Sequence, residues 1–388
     1  MPVLEFEDGL AHPLIPAPGT APGETWLWHV AGRGYDSAHE RAARTDFAQR
    51  LAALKGFRFA GDFDPQRPST APQYVVPNDT LSASDAHTAG IRGPHDLFGG
   101  VVPHPFVATK AITHPLLEPG AAQPEGWLAD FHAHAADAVL HGYTAFSLAD
   151  ARGAGRLVLA RGPVRVKAVR GTAGRGQSVA TDPDSLDCQL EALGDPAIAA
   201  DGVVLEENLR HPDTVSVGQV IVGSLVLSYY GHQRLTYDNQ GEAVYGGSQL
   251  TLVRGGLDVL MAEPFMPDAL RLAVAQARSY HAAVERSYPG FFASRINYDV
   301  AQGMDVHGQW RSGVLEQSWR LGGATSAEVA ALERFHADPT LQRLRAASGE
   351  CYGSEDPPEG ADVYYRDVDP SVGLITRYAL ILPDADPA

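Results

Sequence analysis

The sequence predicts an α+β fold, and three observations carry that expectation. Apolar residues recur at helical spacing in Ser37 to Leu54, residues 268 to 286 read as a helix rich in Ala and Arg, and a capping-box signature opens a third helix from Thr325 to about His336. Period-two alternation marks VSVGQVIVGSLVLSYYG, which reads as two strands around Gly223, and SRINYDVAQG, residues 294 to 303, which reads as another. A long antiparallel region therefore occupies the middle of the chain, with helices before and after it and no internal repeat.

A chain of 388 residues exceeds one ordinary core, so two or three lobes able to enclose a cleft are expected. The apolar fraction of 44% and charged fraction of 20% are those of a globular protein, and no apolar run reaches membrane length. The N-terminus lacks the basic start and continuous apolar stretch of a secretory signal, and only Cys188 and Cys351 occur, which makes the cytoplasm the expected compartment. A formal charge of −17 excludes a nonspecific nucleic-acid binder, which needs positive surface to displace counterions. Any contact with a polyanion must be local.

Residues 1 to about 100 are rich in Pro, Gly and His around the helix Ser37 to Leu54, and read as a front lobe. An Ala-rich helix is expected around Trp127 to Leu140. His132, His134 and His141 lie there without Cys or carboxylate partners at ligand spacing, so they read as surface or core histidines and not as a metal site. RLVLA and VRVKAV then read as strands, RGTAGRGQ as a glycine loop and SVA as a further strand, after which Asp182 or Asp184 caps a helix through Leu193. DGVVLEENL, residues 201 to 209, reads as a buried strand ending in two carboxylates, and Thr325 with Glu328 forms a capping-box signature.

The segment GVLEQSWRLGG, residues 313 to 323, delivers Glu316 to the end of an apolar strand, with Ser318, Arg320 and two glycines close behind. Upstream, Arg295, Asn297 and Asp299 share one face of a strand, and the link Gly303 to Gly308 would join the two as a hairpin. Carboxylates, a hydroxyl and two guanidinium groups side by side suit phosphate and magnesium, because a hard cation takes oxygen ligands and phosphates take fork donors. An ordinary charged surface hairpin is the plain alternative. The loop with Gly171, Gly174 and Gly176 follows the strand carrying Lys167, and its backbone N–H groups could turn toward phosphate oxygens. It is neither a Walker loop nor a dinucleotide fingerprint, and a glycine-rich turn is its alternative. Lys110, taken alone, reads as a solvated loop lysine.

Two separated lysines, a glycine loop, a strand ending in Glu206 and Glu207, and a final Asp/Glu hairpin stand in the chain order of the ATP-grasp superfamily. The resemblance spans Lys110 to Gly323 and is to carboxylate–amine and peptide ligases, near which the whole chain resembles an uncharacterised bacterial family. It implies two α+β lobes clasping a nucleotide behind an N-terminal pre-ATP-grasp lobe: residues 1–105, a small lobe over 106–210, and a large lobe with a C-terminal extension over 211–388. It implies ATP and Mg²⁺ as cofactors. Lys110, Lys167, Gly171, Gly174 and Gly176 would meet the phosphates, Glu206 or Glu207 the adenine, and Asp213 the ribose. Asn297 or Asp299, with Glu316, would hold the metal, and Ser318 or Gln317 would supply the neutral oxygen where the superfamily usually has Asn. Arg295 and Arg320 would stabilise transferring phosphate and an acyl phosphate, and Trp319 would pack between lobes. The implied reaction activates a small-molecule carboxylate for attack by an amine or other nucleophile. The partners expected are these two substrates and a second copy of the chain in a homodimer, with no nucleic acid and no membrane. Bicarbonate phosphorylation of the biotin-carboxylase kind, with a separate carrier, and a non-catalytic ATP-sensing module are the alternatives.

Overall fold

In the computed structural model, residues 23–30, 32, 37–66, 70–171 and 176–383 are described. Strands β1 (Glu24–Trp28), β2 (Arg58–Asp62) and β3 (Gln73–Pro77) form a parallel sheet in the order β2-β1-β3. Helix α1 (Ala38–Lys55) lies between the first two in sequence. The Ser37 hydroxyl accepts from the Glu40 N–H at its start, and Gly56, at φ 66, closes it in the left-handed conformation that favours glycine. After β4 (Leu81–Ser82) and α2 (Ala83–Thr88), β5 (Gly100–Val102) runs into 3₁₀ turns at Pro105–Ala108 and Lys110–Thr113.

The expected Trp127–Leu140 helix shortens to α3 (Asp130–Ala135). Strand β6 (Gly142–Ala145) and helix α4 (Leu148–Leu159) follow, and this helix takes in most of RLVLA, expected as a strand. The Ser147 hydroxyl accepts from the Asp150 N–H and starts the helix, and Ala151, Ala154, Gly155 and Val158 give it one buried face, which decides a short apolar run that could have gone either way. Strands β7 (Val164–Ala168) and β8 (Gln177–Ala180), helices α5 (Pro183–Leu193) and α6 (Asp195–Asp201), and β9 (Val203–Glu207) complete a sheet ordered β6-β9-β7-β8. Asp182 caps α5 in a reciprocal box with Ser185.

Strands β10 (Arg210–Val222), β11 (Leu225–Tyr237) and β12 (Ala243–Arg254) open the largest sheet, and α7 (Leu257–Met261) and α8 (Asp268–Ser287) follow. A short β13 (Phe292–Ala293) pairs with β5, and β14 (Arg295–Met304) and β15 (Trp310–Ser318) form the expected hairpin. Helix α9 (Thr325–Ala337), β16 (Arg343–Tyr352), β17 (Asp362–Asp369) and β18 (Gly373–Leu382) end the described chain. The eight-stranded order is β15-β14-β10-β11-β12-β16-β18-β17, with every pairing antiparallel.

Alternation gives this sheet two different faces. Val215, Val217, Tyr298, Val300 and Val314 pack with Ala273, Val274, Ala277 and Tyr280 of α8. On the other face, Val220, Leu227, Leu252 and Leu344 join the cluster of Ala327, Ala331, Leu332 and Phe335 from α9. Beyond the reach of α9 that second face turns polar, carrying Ser216, Gln233, Asp299 and Glu316. Helix α1 is tied to the sheet extension by charge: Arg377 of β18 lies between Glu350, at 2.5 Å, and Glu40 of α1, at 2.9 Å. Among the described residues no helix is long and apolar enough to cross a membrane.

Candidate active site

The β14–β15 register sets Asn297 opposite Ser318 and Asp299 opposite Glu316, with a register shift directly after Asp299. Three donors converge on Asp299 Oδ1: Asn297 Nδ2 at 2.9 Å, Gln233 Nε2 at 2.9 Å and Ser216 Oγ at 3.2 Å. Burial, and then the neighbouring Glu316 charge, raise the Asp299 pKa above the usual carboxylate value despite these donors. For Glu316, burial also pushes upward, but Lys110, helped by Lys167 and Arg320, holds the group below its ordinary value. Lys110 Nζ lies 2.8 Å from Glu316 Oε2, and 31% of the Glu316 side chain is accessible.

Among the described residues no three His, Cys, Asp or Glu side chains converge into a complete metal cage. Two facing carboxylates and a nearby hydroxyl fit Mg²⁺, which is commonly held by one or two carboxylates and completed by substrate phosphates and water. Of the two neutral oxygens left open by the sequence, only Ser318 shares the strand face of Glu316. Gln317 points the other way: its Nε2 donates to the carbonyls of Val107 and Thr109, at 2.9 and 2.7 Å, and its oxygen accepts from Tyr280. Asn297 has its oxygen 3.0 Å from the Tyr229 hydroxyl and its amide on Asp299, so it supports the acid.

Lys110 and Lys167 are both buried and reach this region from different elements. Lys110, on its 3₁₀ turn, also donates to the Gly171 carbonyl at 2.8 Å, at the start of the glycine loop. Gly176, at φ 68, closes that loop, while Gly174 lies outside the described residues. Lys167 Nζ is 2.6 Å from Glu206 Oε1, and His114 Nε2 donates to Glu206 Oε2 at 2.8 Å. Glu206 is thus the inward member of the pair. Glu207 accepts from the His141 N–H at 2.9 Å and meets Arg311 at 3.1 Å. Leu140, Leu209, Ala301 and Leu315 form a small apolar cluster beside the β9 end. Asp213 is half exposed, with its Oδ2 2.7 Å from His232 Nδ1. Of the three histidines around α3, His134 is exposed, and His132 stacks on Trp127, where burial, with His114 nearby, holds its pKa down to about 3.

Glu206 has a pH signature. Burial would raise its pKa, and Lys167 with His114 overcomes that, bringing it down to about 2 from 4.5. A folded pKa below the unfolded one stabilises the fold above the unfolded value, and that contribution disappears as pH falls through the folded value. The melting temperature is therefore expected to fall on acidification from about 4.5 toward about 2. Thermal melts across that window should be flatter for Glu206→Gln; an unchanged slope would remove Glu206 as a source.

The two arginines part company. Arg320 keeps 31% of its side chain accessible, faces Asp79 at 3.7 Å and lowers the Glu316 pKa, so its guanidinium can meet a ligand. Arg295 departs from the expectation of a phosphate contact. It is 1% exposed and forked onto Glu328, with Nη2 to Oε1 at 2.8 Å and Nε to Oε2 at 3.1 Å. Its Nη1 donates to the Ser318 and Arg320 carbonyls, which leaves it turned into the protein. Glu328 correspondingly makes no capping box: Ala324, the residue before α9, provides no side-chain cap, and Thr325 Oγ1 accepts from Gly322 N–H. Trp319 is buried, as expected, with Nε1 on Tyr298. Sequence reasoning missed Ser216, Gln233, His114, Tyr229, Asp79 and Glu328. His114 alone carried a local sign, one turn after Lys110.

A family model described as Protein of unknown function (DUF3182) matches residues 28–379. No curated protein matches the sequence. Among solved structures, the biotin carboxylase domain of Hydrogenobacter thermophilus 2-oxoglutarate carboxylase, in complex with MgADP, ADP and bicarbonate, superposes at TM-score 0.50 and 13% identity, over 92% of this chain and 86% of that one. Rhizobium etli pyruvate carboxylase superposes at TM-score 0.51 and 13% identity over 94% of this chain, which spans 36% of that much longer one. Phosphoribosylamine–glycine ligase from Thermotoga maritima gives TM-score 0.48 and 15% identity, over 92% of this chain and 91% of that one.

Proposed function

The chain belongs to the family described as Protein of unknown function (DUF3182) and has the ATP-grasp fold, and from that premise we propose that it is an ATP-dependent ligase that activates a carboxylate as an acyl phosphate. The observation that carries the reading is the cross-strand Asp299–Glu316 pair, met from outside the hairpin by Lys110, with Lys167 and Arg320 near enough to lower the Glu316 pKa. Phosphoryl transfer asks a protein mainly for positioning and for positive charge around the moving group, and this constellation offers both.

In this reading the nucleotide base rests on the Leu140, Leu209, Ala301 and Leu315 cluster beside Glu206, and the phosphates extend toward Lys110 and Lys167. Asp299, Glu316 and Ser318 would hold Mg²⁺, which neutralises phosphate charge when bound. A substrate carboxylate oxygen attacks the γ-phosphorus as the bond to the ADP oxygen breaks, giving an acyl phosphate and ADP. An amine then attacks the acyl carbon and phosphate leaves, with Arg320 stabilising the negative oxygen. The chain's residues supply orientation and charge, and no side-chain nucleophile takes part.

A second reading, phosphorylation of bicarbonate, is favoured by the bicarbonate in the Hydrogenobacter complex. One experiment separates them: purified protein, Mg²⁺-ATP and a panel of amino acids and small carboxylates, with hydroxylamine as the trapping nucleophile. The ligase reading expects a carboxylate-dependent rise in ADP and phosphate together with a hydroxamate. ADP release that follows bicarbonate alone supports the second reading. Tight Mg²⁺-ATP binding with neither product across the panel would replace both by a non-catalytic ATP-binding role.

A further inference from the structure

We propose that Glu328, Arg295 and Tyr229 are positioning residues that set the metal pair and Arg320 in their working geometry, an inference resting on the reading of Asp299 and Glu316 as magnesium ligands. Glu328 enters from the first turn of α9, is fully buried, and neutralises the equally buried Arg295 of β14. The Tyr229 hydroxyl lies 2.5 Å from Glu328 Oε1 and 3.0 Å from Asn297 Oδ1, and Asn297 Nδ2 donates to Asp299 Oδ1. A continuous polar chain therefore runs from α9 to the carboxylate proposed to hold the metal. Tyr229 reaches across β10 because position 218 is glycine: a Cβ there would lie 2.3 Å from the tyrosine ring and hydroxyl.

The same guanidinium reaches the other half of the site. Arg295 Nη1 donates to the Ser318 carbonyl at 3.2 Å and to the Arg320 carbonyl, and Ser318 Oγ is 3.4 Å away. One buried cation thus fixes the strand of Asp299, the end of the strand of Glu316 and the start of the loop bearing Arg320. Burying an ion pair carries a large solvation cost, and well-packed apolar residues of equal volume often stabilise as much or more. The pair supplies direction: a fork of fixed donors aimed at two strands, which apolar packing cannot provide. Groups that orient metal ligands in this way commonly change metal affinity when removed, without touching the metal.

The test compares wild type, Tyr229→Phe and Glu328→Gln, using Mn²⁺ with ADP as the probe. Mn²⁺ binding is followed by electron paramagnetic resonance, and ADP binding in EDTA by calorimetry. Tyr229→Phe keeps the buried ring and removes one oxygen; Glu328→Gln keeps shape and removes charge. In folded variants, affinity for Mn²⁺ in the ADP complex should fall about ten- to hundredfold, while ADP affinity in EDTA stays at the wild-type value. Wild-type Mn²⁺ affinity in either folded variant overturns the positioning role, as does unfolding of both, which would make the network a folding element only. Failure of wild type itself to bind Mn²⁺ and ADP would instead remove the nucleotide–metal reading on which the role rests.

Discussion

Glu316→Gln is expected to lower carboxylate-dependent ADP release by on the order of a hundredfold or more, the scale seen when a major electrostatic stabiliser of a transition state is lost. The substitution keeps the length and the oxygen that Lys110 approaches, and Lys110 retains its bond to the Gly171 carbonyl. What disappears is one of the two negative charges facing each other across β14 and β15. Because Glu316 is partly accessible, folding should survive, and melting temperature and turnover can be read separately. Full turnover in the folded variant would refute a metal role for Glu316.

Lys167→Ala is expected to have two large effects. Lys167 and Glu206 are a buried pair 2.6 Å apart, and removing one partner of such a pair typically costs about 3–5 kcal/mol, because the remaining charge stays buried. His114 still donates to Glu206 and limits that cost. The second effect is weaker Mg²⁺-ATP binding, through loss of the cation proposed to meet the phosphates. Lys167→Met combined with Glu206→Gln separates the two: without the stranded carboxylate, stability in denaturant should recover while affinity by calorimetry stays low. Wild-type affinity in the double variant would take both residues out of the nucleotide site.

The hairpin was legible because its information is local and periodic. Alternation sets Arg295, Asn297 and Asp299 on one face, and the same rule separates Glu316 and Ser318 from Gln317 once the strand is accepted. Partners distant in sequence were not legible. Glu328 lies 33 residues beyond Arg295, and its local pattern with Thr325 is that of a helix cap, so the sequence offered a plausible use that the buried guanidinium outcompetes. Ser216 reaches Asp299 only through the β10–β14 register, and Gln233 only because β11 lies next in the sheet. The choice between Glu206 and Glu207 turned on which faced Lys167, and two adjacent strand residues look alike until pairing is known. The RLVLA segment failed differently: a four-residue apolar run after Arg156 carries no period of its own, and the helix beginning after Ser147 took in all of the segment but Ala160.

Lys110, Lys167, Asp299 and Glu316 are proposed to make one site for Mg²⁺-ATP. Calorimetric titration of Mg²⁺-ATP into the wild-type protein, with a thermal melt at saturating nucleotide, tests it most directly. The account predicts saturable binding that weakens when EDTA removes the metal, and a raised melting temperature, since a ligand at a hundred times its Kd stabilises the folded state by about 2.7 kcal/mol. Absence of heat and of any thermal shift at millimolar Mg²⁺-ATP would contradict it.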